Sequence, residues 1–352
     1  MNEHKFKYKW NLIEGYPAQG IEKHGLKVFG TFICGGGSTM GYKLAGFEHL
    51  GGVEIDPPIA DVYKTNHNPK YLFIEDIRDF ANRLEFPEEL YNLDILDGSP
   101  PCSSFCMAGN REKDWGKEKV FREGQSLQRL DDLFFDYIKL AKKLQPKVVI
   151  AENVKGMLQG NAKVYVKRIK YEFEQAGYKV QLFLLNAASM GVPQKRERVF
   201  FVCQRNDLNY KPLKLNFNEK SIPFKYVDEG NVKRKPIREG IKDYYKITPM
   251  GKFVSSVHPK GMYLGTYKQH PEMVSNTCIA DSGGSIMLHP IEDGYLTDNE
   301  YKIIGTYPLD YNFKKIEPKY LIGMSVPPVM TAQVAHQIYL QWLSKTGLKQ
   351  GK

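Results

Sequence analysis

Apolar residues fall in short dense runs separated by amphipathic stretches. Val28 to Ile33 is the first run, and it ends in Cys34-Gly35-Gly36-Gly37-Ser38-Thr39-Met40-Gly41, the pattern of a buried strand opening through glycines into a helix. Gly51 to Ile55 predicts a second strand ending at Glu54, about 20 residues after the glycines, and Tyr71 to Asp76 a third. Leu93 to Leu96 runs into Asp97-Gly98-Ser99-Pro100-Pro101-Cys102, Lys147 to Ala151 runs into Glu152-Asn153-Val154, and Val199 to Val202 closes the series. Strands alternating with amphipathic stretches such as Leu127 to Leu144 indicate βαβ units and a parallel sheet. In such sheets the ligand site lies at the carboxyl ends of the strands, where each candidate motif sits.

Beyond Val202 the texture changes. From 205 to 287 the periodicity weakens, Gly and Pro are frequent, and 14 Lys and Arg stand against 8 Asp and Glu. The basic residues concentrate around Lys233-Arg234-Lys235 and are interleaved with Tyr244, Tyr245, Phe253, Tyr263 and Tyr267. A division follows into one domain of 1–204 and 288–352 and a smaller one of 205–287. Thr297 with Glu300 three residues on is a capping-box signature, and Val329 to Leu343 predicts a last helix.

At 352 residues the chain has room for a large domain and a smaller one. With 42% hydrophobic and 26% charged residues it is neither disordered nor fibrous. No apolar run approaches the ~18 residues of a membrane span, and the opening MNEHKFKYKW is charged and aromatic where a signal peptide is apolar. A cytoplasmic protein without a membrane partner is expected. Five cysteines without CxxC spacing support neither a disulfide framework nor a zinc site. The net charge of +10 favours a polyanionic partner without specifying one.

Glycines after the first strand let a backbone approach a ligand at a helix N-terminus, and Glu54 is placed to accept from ribose hydroxyls. That pairing fits NAD and S-adenosylmethionine equally, and a tight turn with no ligand remains open. Pro100-Pro101-Cys102 puts a thiol on a rigid turn at a strand end, where a thiolate can act as nucleophile, although an isolated cysteine is more often a small buried hydrophobe. Glu152 ends another strand of the same set, and a carboxyl near a thiol can protonate the substrate that the thiol attacks. In Gln194-Lys195-Arg196-Glu197-Arg198, period two puts Gln194, Arg196 and Arg198 on one face, a solvated edge or a pair of guanidiniums aimed at the site.

Taken in order, Phe32-Ile33-Cys34-Gly35-Gly36-Gly37, Glu54, Asp76-Ile77, Gly98-Ser99-Pro100-Pro101-Cys102, Glu152-Asn153-Val154, Gln194 to Arg198, Leu296 to Glu300, Tyr307-Pro308 and Gly323 to Pro328 resemble the cytosine-5 DNA methyltransferases. The resemblance spans Val28 to Ile338. It implies a Rossmann-like S-adenosyl-L-methionine-dependent α/β domain with a mixed, mostly parallel sheet, plus a target-recognition domain at 205–287. The implied substrate is double-stranded DNA with a flipped cytosine. The implied protein is a monomer of a restriction-modification or related epigenetic system, with a cognate restriction endonuclease encoded separately.

For the chemistry, the resemblance implies that Cys102 adds to C6 while Glu152 shares a proton with N3. Arg198 would hold O2, Arg196 would steady Glu152 or the backbone, and Asn153 would orient the glutamate loop. For the cofactor it implies the backbone of Gly35, Gly36 and Gly37, Phe32 against adenine, Glu54 on ribose, and Ile55 and Ile77 around the purine. Asp76 would take the exocyclic amine, with Pro101, Ser325 and Val326 completing the pocket; no metal is implied. The stretch Ser103 to Ser126 is expected as a loop that closes on DNA. Three positions depart from the pattern: Cys34 replaces its first glycine, Met324 a usual asparagine, and Gly294 an arginine that commonly precedes Leu-Thr. A tRNA cytosine-5 methyltransferase on the same scaffold and a non-catalytic DNA-binding relative are the competing readings. A nicotinamide oxidoreductase ranks last, since it gives no reason for Pro-Cys, Glu-Asn-Val and Gln-x-Arg-x-Arg.

Overall fold

The computed structural model describes residues 4–16, 20–101, 132–160, 162–280 and 286–344. Strand β1 (Lys27–Thr31) is followed by α1 (Gly37–Leu44), β2 (Glu48–Glu54), α2 (Pro57–His67), β3 (Tyr71–Ile74) and α3 (Ile77–Asn82). Then come β4 (Ile95–Gly98), α4 (Leu133–Leu144), β5 (Val148–Val154), α5 (Ala162–Gln175), β6 (Tyr178–Asn186) and β7 (Glu197–Arg205). These strands form one sheet in the order β3-β2-β1-β4-β5-β7-β6. Neighbours are parallel except at β7, which runs antiparallel to both β5 and β6. The mixed, mostly parallel sheet expected from the sequence is the one that forms.

Both faces of this sheet are covered. Val28, Ile95, Val148, Ile150, Phe200 and Val202 point into a core shared with α1 and α2, while Phe29, Leu96, Val149, Ala151 and Phe201 point into one shared with α3, α4 and α5. Double burial is why these strands read as nearly unbroken apolar runs, and each buried Val, Ile or Phe contributes about 1.5–3 kcal/mol. Helix α2 begins at Asp56 with Pro57 in its first turn, and α4 ends where Gln145 turns left-handed.

After β7 the chain packs Tyr210, Leu213, Leu215, Phe224 and Val227 on the first core. Helix α6 (Glu239–Ile247) and strands β8 (Lys252–Phe253), β9 (Tyr267–Lys268) and β10 (Met287–Leu288) then build a small sheet in the order β10-β9-β8. Its own core is Ile237, Ile241, Tyr245, Val254, Leu288 and Tyr295, which draws on residues to either side of position 287. Helices α7 (Asp298–Ile304), α8 (Pro318–Met324) and α9 (Pro328–Ile338) return to the large core. The capping box is present: Glu300 N–H donates to Thr297 Oγ1 at 3.1 Å, and Thr297 N–H donates to Glu300 Oε2 at 2.9 Å. No helix among the described residues is long and apolar enough to cross a membrane.

Candidate active site

All the parallel strands end at one edge of the sheet, and the reversed β7 begins there. In spatial order that edge carries Asp76 after β3, Glu54 at the end of β2, the Phe32 to Gly37 turn after β1, and Pro100-Pro101 after β4. Glu152 and Asn153 follow near the end of β5, and Arg198 near the start of β7. Strand order thus separates the expected cofactor residues from the expected chemistry. The division falls between β1 and β4, the switch point of strand order at which open α/β sheets bind their ligands.

On the cofactor side, Phe32, Cys34 and Gly36 all take positive φ, at 54°, 48° and 75°. Cys34 therefore holds a left-handed conformation that glycine adopts without strain, the physical meaning of its departure from the family pattern. Its N–H donates to Glu54 Oε2 at 2.9 Å, and Asp56 N–H donates to Glu54 Oε1 at 3.0 Å. Glu54 is buried, and burial raises its pKa against the pull of those two N–H groups. Each of its oxygens retains acceptor capacity. Ile55, next in sequence, is 40% exposed, and Ile77 is buried at the start of α3. Asp76 caps α3, accepting from Arg78 N–H at 2.8 Å, and pairs with the Arg78 guanidinium at 3.1 Å. An acid with free acceptor sites, an exposed isoleucine and a second acid at the neighbouring strand end fit an adenosine.

The protein's own packing also requires the glycines of this turn. A Cβ at Gly36 would lie 2.2 Å from His67 Nε2, and one at Gly37 2.2 Å from Val326 O. Tyr311 OH donates to Gly35 O from behind the turn. Ser325 and Val326 are buried against the same turn: Tyr307 OH donates to Ser325 Oγ at 2.7 Å, and Ser325 Oγ donates to Leu321 O at 2.9 Å. They brace the cradle. Burial, then the charge of Glu54, pushes the Cys34 thiol up to about 12, so it stays protonated.

On the chemistry side, Glu152 is buried and Arg198 Nε lies 2.8 Å from its Oε1. The register explains the contact. Glu152 opposes Phe200 across the β5–β7 ladder and Arg198 opposes Val154, which makes Glu152 and Arg198 diagonal neighbours on one face. Asn153 Nδ2 donates to Pro100 O at 2.9 Å, tying the end of β5 to the turn that carries Pro101. Cys102 and the stretch Ser103 to Ser126 lie outside the described residues; Cys102 directly follows Pro101.

Burial alternates from 194 to 198, with Gln194, Arg196 and Arg198 turned inward and Lys195 and Glu197 outward, as the period-two reading expects. Arg196 precedes β7, is buried, and donates at 2.9 Å to the carbonyls of Cys278, Gly323 and Ser325. Of its two expected partners, Glu152 and the backbone, the hydrogen bonds go to the backbone. Burial, then the nearby charge of Arg198, lowers its pKa to about 9. Gln194 joins the same junction through Ile304 O and Cys278 N–H. A residue that sequence reasoning did not assign is Asp97, buried at the end of β4 with Tyr42 OH on its Oδ1 at 2.9 Å. The only signal for it was an acid closing an apolar strand.

In the smaller unit, Lys233 and Lys235 are exposed, but the Arg234 side chain is only 3% exposed. Its guanidinium forks onto Glu300 at 2.7 and 2.8 Å and pairs with Glu292 at 2.5 Å and Asp228 at 3.3 Å. Arg234 is thus unavailable to phosphate, which corrects the reading of all three residues as one basic patch. Tyr245 and Lys268 are also engaged, the ammonium 4.1 Å from the ring centroid. A Cβ at Gly294 would lie 2.5 Å from Arg234 Cβ. The arginine expected at 294 is therefore replaced in space by one from earlier in the chain.

A doubly wound sheet with one reversed strand, whose strand-end edge carries Glu54 and Asp76 on one half and Glu152 and Arg198 on the other, is a Rossmann-like methyltransferase fold. The structure superposes with a TM-score of 0.69 on a protein described as a DNA modification methyltransferase encoded within an E. coli prophage. The superposition covers 90% of this chain and 99% of that one at 16% identity, a likeness of fold alone. The chain belongs to the C-5 cytosine-specific DNA methylase family, whose profile matches residues 26–276. It is similar to the type II methyltransferase M.FnuDI of Fusobacterium nucleatum, 41% identical over 188 residues that make up 52% of this chain and 48% of the relative. It is also similar to M.NgoPII of Neisseria gonorrhoeae, 37% identical over 190 residues, 53% of this chain and 50% of that one. The chain spans about half the length of these two relatives.

Proposed function

We propose that this protein transfers a methyl group from S-adenosyl-L-methionine to C5 of a cytosine flipped out of double-stranded DNA at a short specific sequence. It acts as a cytoplasmic monomer in a restriction-modification system whose endonuclease is a separate chain. The observation that carries the reading is Glu152 paired with Arg198 at 2.8 Å, one strand away from the turn that Asn153 ties down and Cys102 continues.

The cofactor supplies the electrophilic methyl group. Cytosine C5 is a weak nucleophile, and covalent addition of the Cys102 thiolate to C6, with Glu152 donating a proton to N3, makes it enamine-like. After transfer, loss of the C5 proton to solvent, expulsion of the Cys102 thiolate and return of the N3 proton to Glu152 restore the ring. Arg198 holds Glu152 in place and offers its remaining N–H groups to O2 of the base. Glu54, Ile55, Asp76 and Ile77 hold the adenosine, with Phe32 and Pro101 against it. The base is reached only when extruded from the duplex. Residues 205–287 contribute recognition, with exposed Lys233 and Lys235 on phosphates and the remainder of the chain on chemistry.

Labelled methyl incorporation into duplex DNA and into tRNA, followed by bisulfite sequencing, tests this. The expected result is 5-methylcytosine in DNA at one short sequence. Label confined to tRNA, or to another base, would overturn it.

A further inference from the structure

Asp97 is the penultimate residue of β4 and pairs in register with Gly30 of β1 and Ile150 of β5, at the divide between the two halves of the edge. From α1, Tyr42 OH donates to Oδ1 at 2.9 Å and the Ser38 hydroxyl bonds the same carboxyl. From β1, Thr31 Oγ1 donates to its carbonyl at 3.3 Å. The other acid facing it is Glu152 of β5, and the phenols of Tyr63 on α2 and Tyr137 on α4 close the surroundings. Among the described residues no Lys, Arg or His pairs with it.

That isolation sets Asp97 apart, because buried carboxylates are otherwise held by a cation or by N–H donors. Glu152 has Arg198, Asp94 has Lys147, Glu300 has Arg234, and Glu54 has two backbone N–H groups. Burial pushes the Asp97 pKa up to about 7, opposed by the Tyr42 bond and aided by the charge of Glu152. The Cys34 thiol is pushed up to about 12, burial lowers His67 to about 3 and His49 well below its ordinary value, and Tyr42 is raised well above its own.

Asp97 is thus a buried acid with hydroxyl partners but no cation, bonded to Ser38 where the turn expected to hold a cationic cofactor enters α1. We infer that Asp97 balances the charge of the cofactor: its carboxyl releases a proton to solvent when the sulfonium is seated, and regains one when only the neutral thioether product remains. The inference rests on the cofactor reading above. It makes the site prefer substrate cofactor over product increasingly as pH rises through neutrality.

Calorimetric titration of the full chain with S-adenosyl-L-methionine and with S-adenosyl-L-homocysteine, in buffers of different ionisation enthalpy, reads the proton directly. The sulfonium ligand should release about half a proton per site near pH 7 and close to none above about pH 9, and the thioether none at either. Asp97→Asn, which keeps an acceptor for Tyr42, should abolish the release and lower the preference for the sulfonium roughly tenfold, one pK unit of linkage. Glu152→Gln should still release. Equal release with both ligands, or release that survives Asp97→Asn and disappears in Glu152→Gln, would overturn the inference. Should Asp97→Asn fail to fold, the two-ligand comparison on the unaltered protein decides. Failure of both ligands to bind that protein would instead refute the cofactor reading, and the inference with it.

Discussion

Replacing Arg234 by methionine removes the only cation on Glu300 among the described residues while keeping most of the apolar stem over Gly294. Glu300 is 0% exposed and would be left with two backbone donors, Thr297 N–H at 2.9 Å and Glu229 N–H at 3.2 Å. Breaking a buried, forked ion pair from one side costs about 3–5 kcal/mol, because the remaining charge stays desolvated. Glu292 and Asp228 are partly solvated, and losing their pairing adds about 1 kcal/mol at most. Most of the loss therefore belongs to Glu300. Adding Glu300→Gln to Arg234→Met should recover about 1–3 kcal/mol relative to the sum of the single variants, since no lone buried charge remains. Equilibrium urea unfolding followed by circular dichroism measures all four corners of this cycle. A cost below about 1 kcal/mol for Arg234→Met, or additive single variants, would show that the guanidinium is not the keystone between the smaller unit and α7.

Lys233→Ala and Lys235→Ala, which spare Arg234, should each lower the slope of log affinity against log salt by about 0.9 on specific and nonspecific DNA alike. Parent slopes would show that these lysines only face solvent. Glu54→Gln should weaken cofactor binding by about 1.5–3 kcal/mol in calorimetry without altering the DNA sequence modified, and an unchanged dissociation constant would remove Glu54 from the pocket. Asp97 gives a pH signature in stability. Its folded pKa of about 7 stands above the ordinary 3.8, so its favourable contribution is complete below the unfolded value and is lost as pH rises toward 7. The slope is at most about 1.4 kcal/mol per pH unit. Asp97→Asn should flatten that part of the curve, and an unchanged curve would mean that Asp97 is ionised throughout.

Strands β1, β2, β4, β5 and β7 were legible because both faces of the sheet are buried along them and their central positions are mostly apolar, while the short β3 was legible from its apolar run alone. Strand β6 was not read. It lies at the sheet edge with Leu182 and Leu184 41% and 45% exposed, so its apolar residues mark neither a core face nor a clean alternation. The capping box of α7 was legible because it is local. Glu54, Glu152 and Asn153 come to one edge because the ends of parallel strands converge there, and Arg198 joins them because the reversed β7 begins there, so position along the chain predicted position in space. The inward face of Arg196 was legible from period two, but the backbone carbonyls of Cys278, Gly323 and Ser325 that it bonds were not, because they are distant in sequence. Lys233-Arg234-Lys235 showed charge but not partners, because Glu292 and Glu300 reach Arg234 only through the fold. Asp97 was hidden for the same reason: lack of a cation is a property of the surroundings.

The central claim is covalent catalysis by Cys102 with Glu152 at N3, and trapping on duplex DNA that carries 5-fluorocytosine at the target tests it most directly. Hydrogen at C5 leaves as a proton but fluorine cannot leave as a cation, so the enzyme stays bonded to C6 once the methyl group has been transferred. The unaltered chain with S-adenosyl-L-methionine should give a denaturation-resistant adduct. Cys102→Ala should give none while still binding cofactor, and Glu152→Gln should form the adduct far more slowly. An adduct with Cys102→Ala, or methylation of cytosine by a chain that never forms one, would contradict the account.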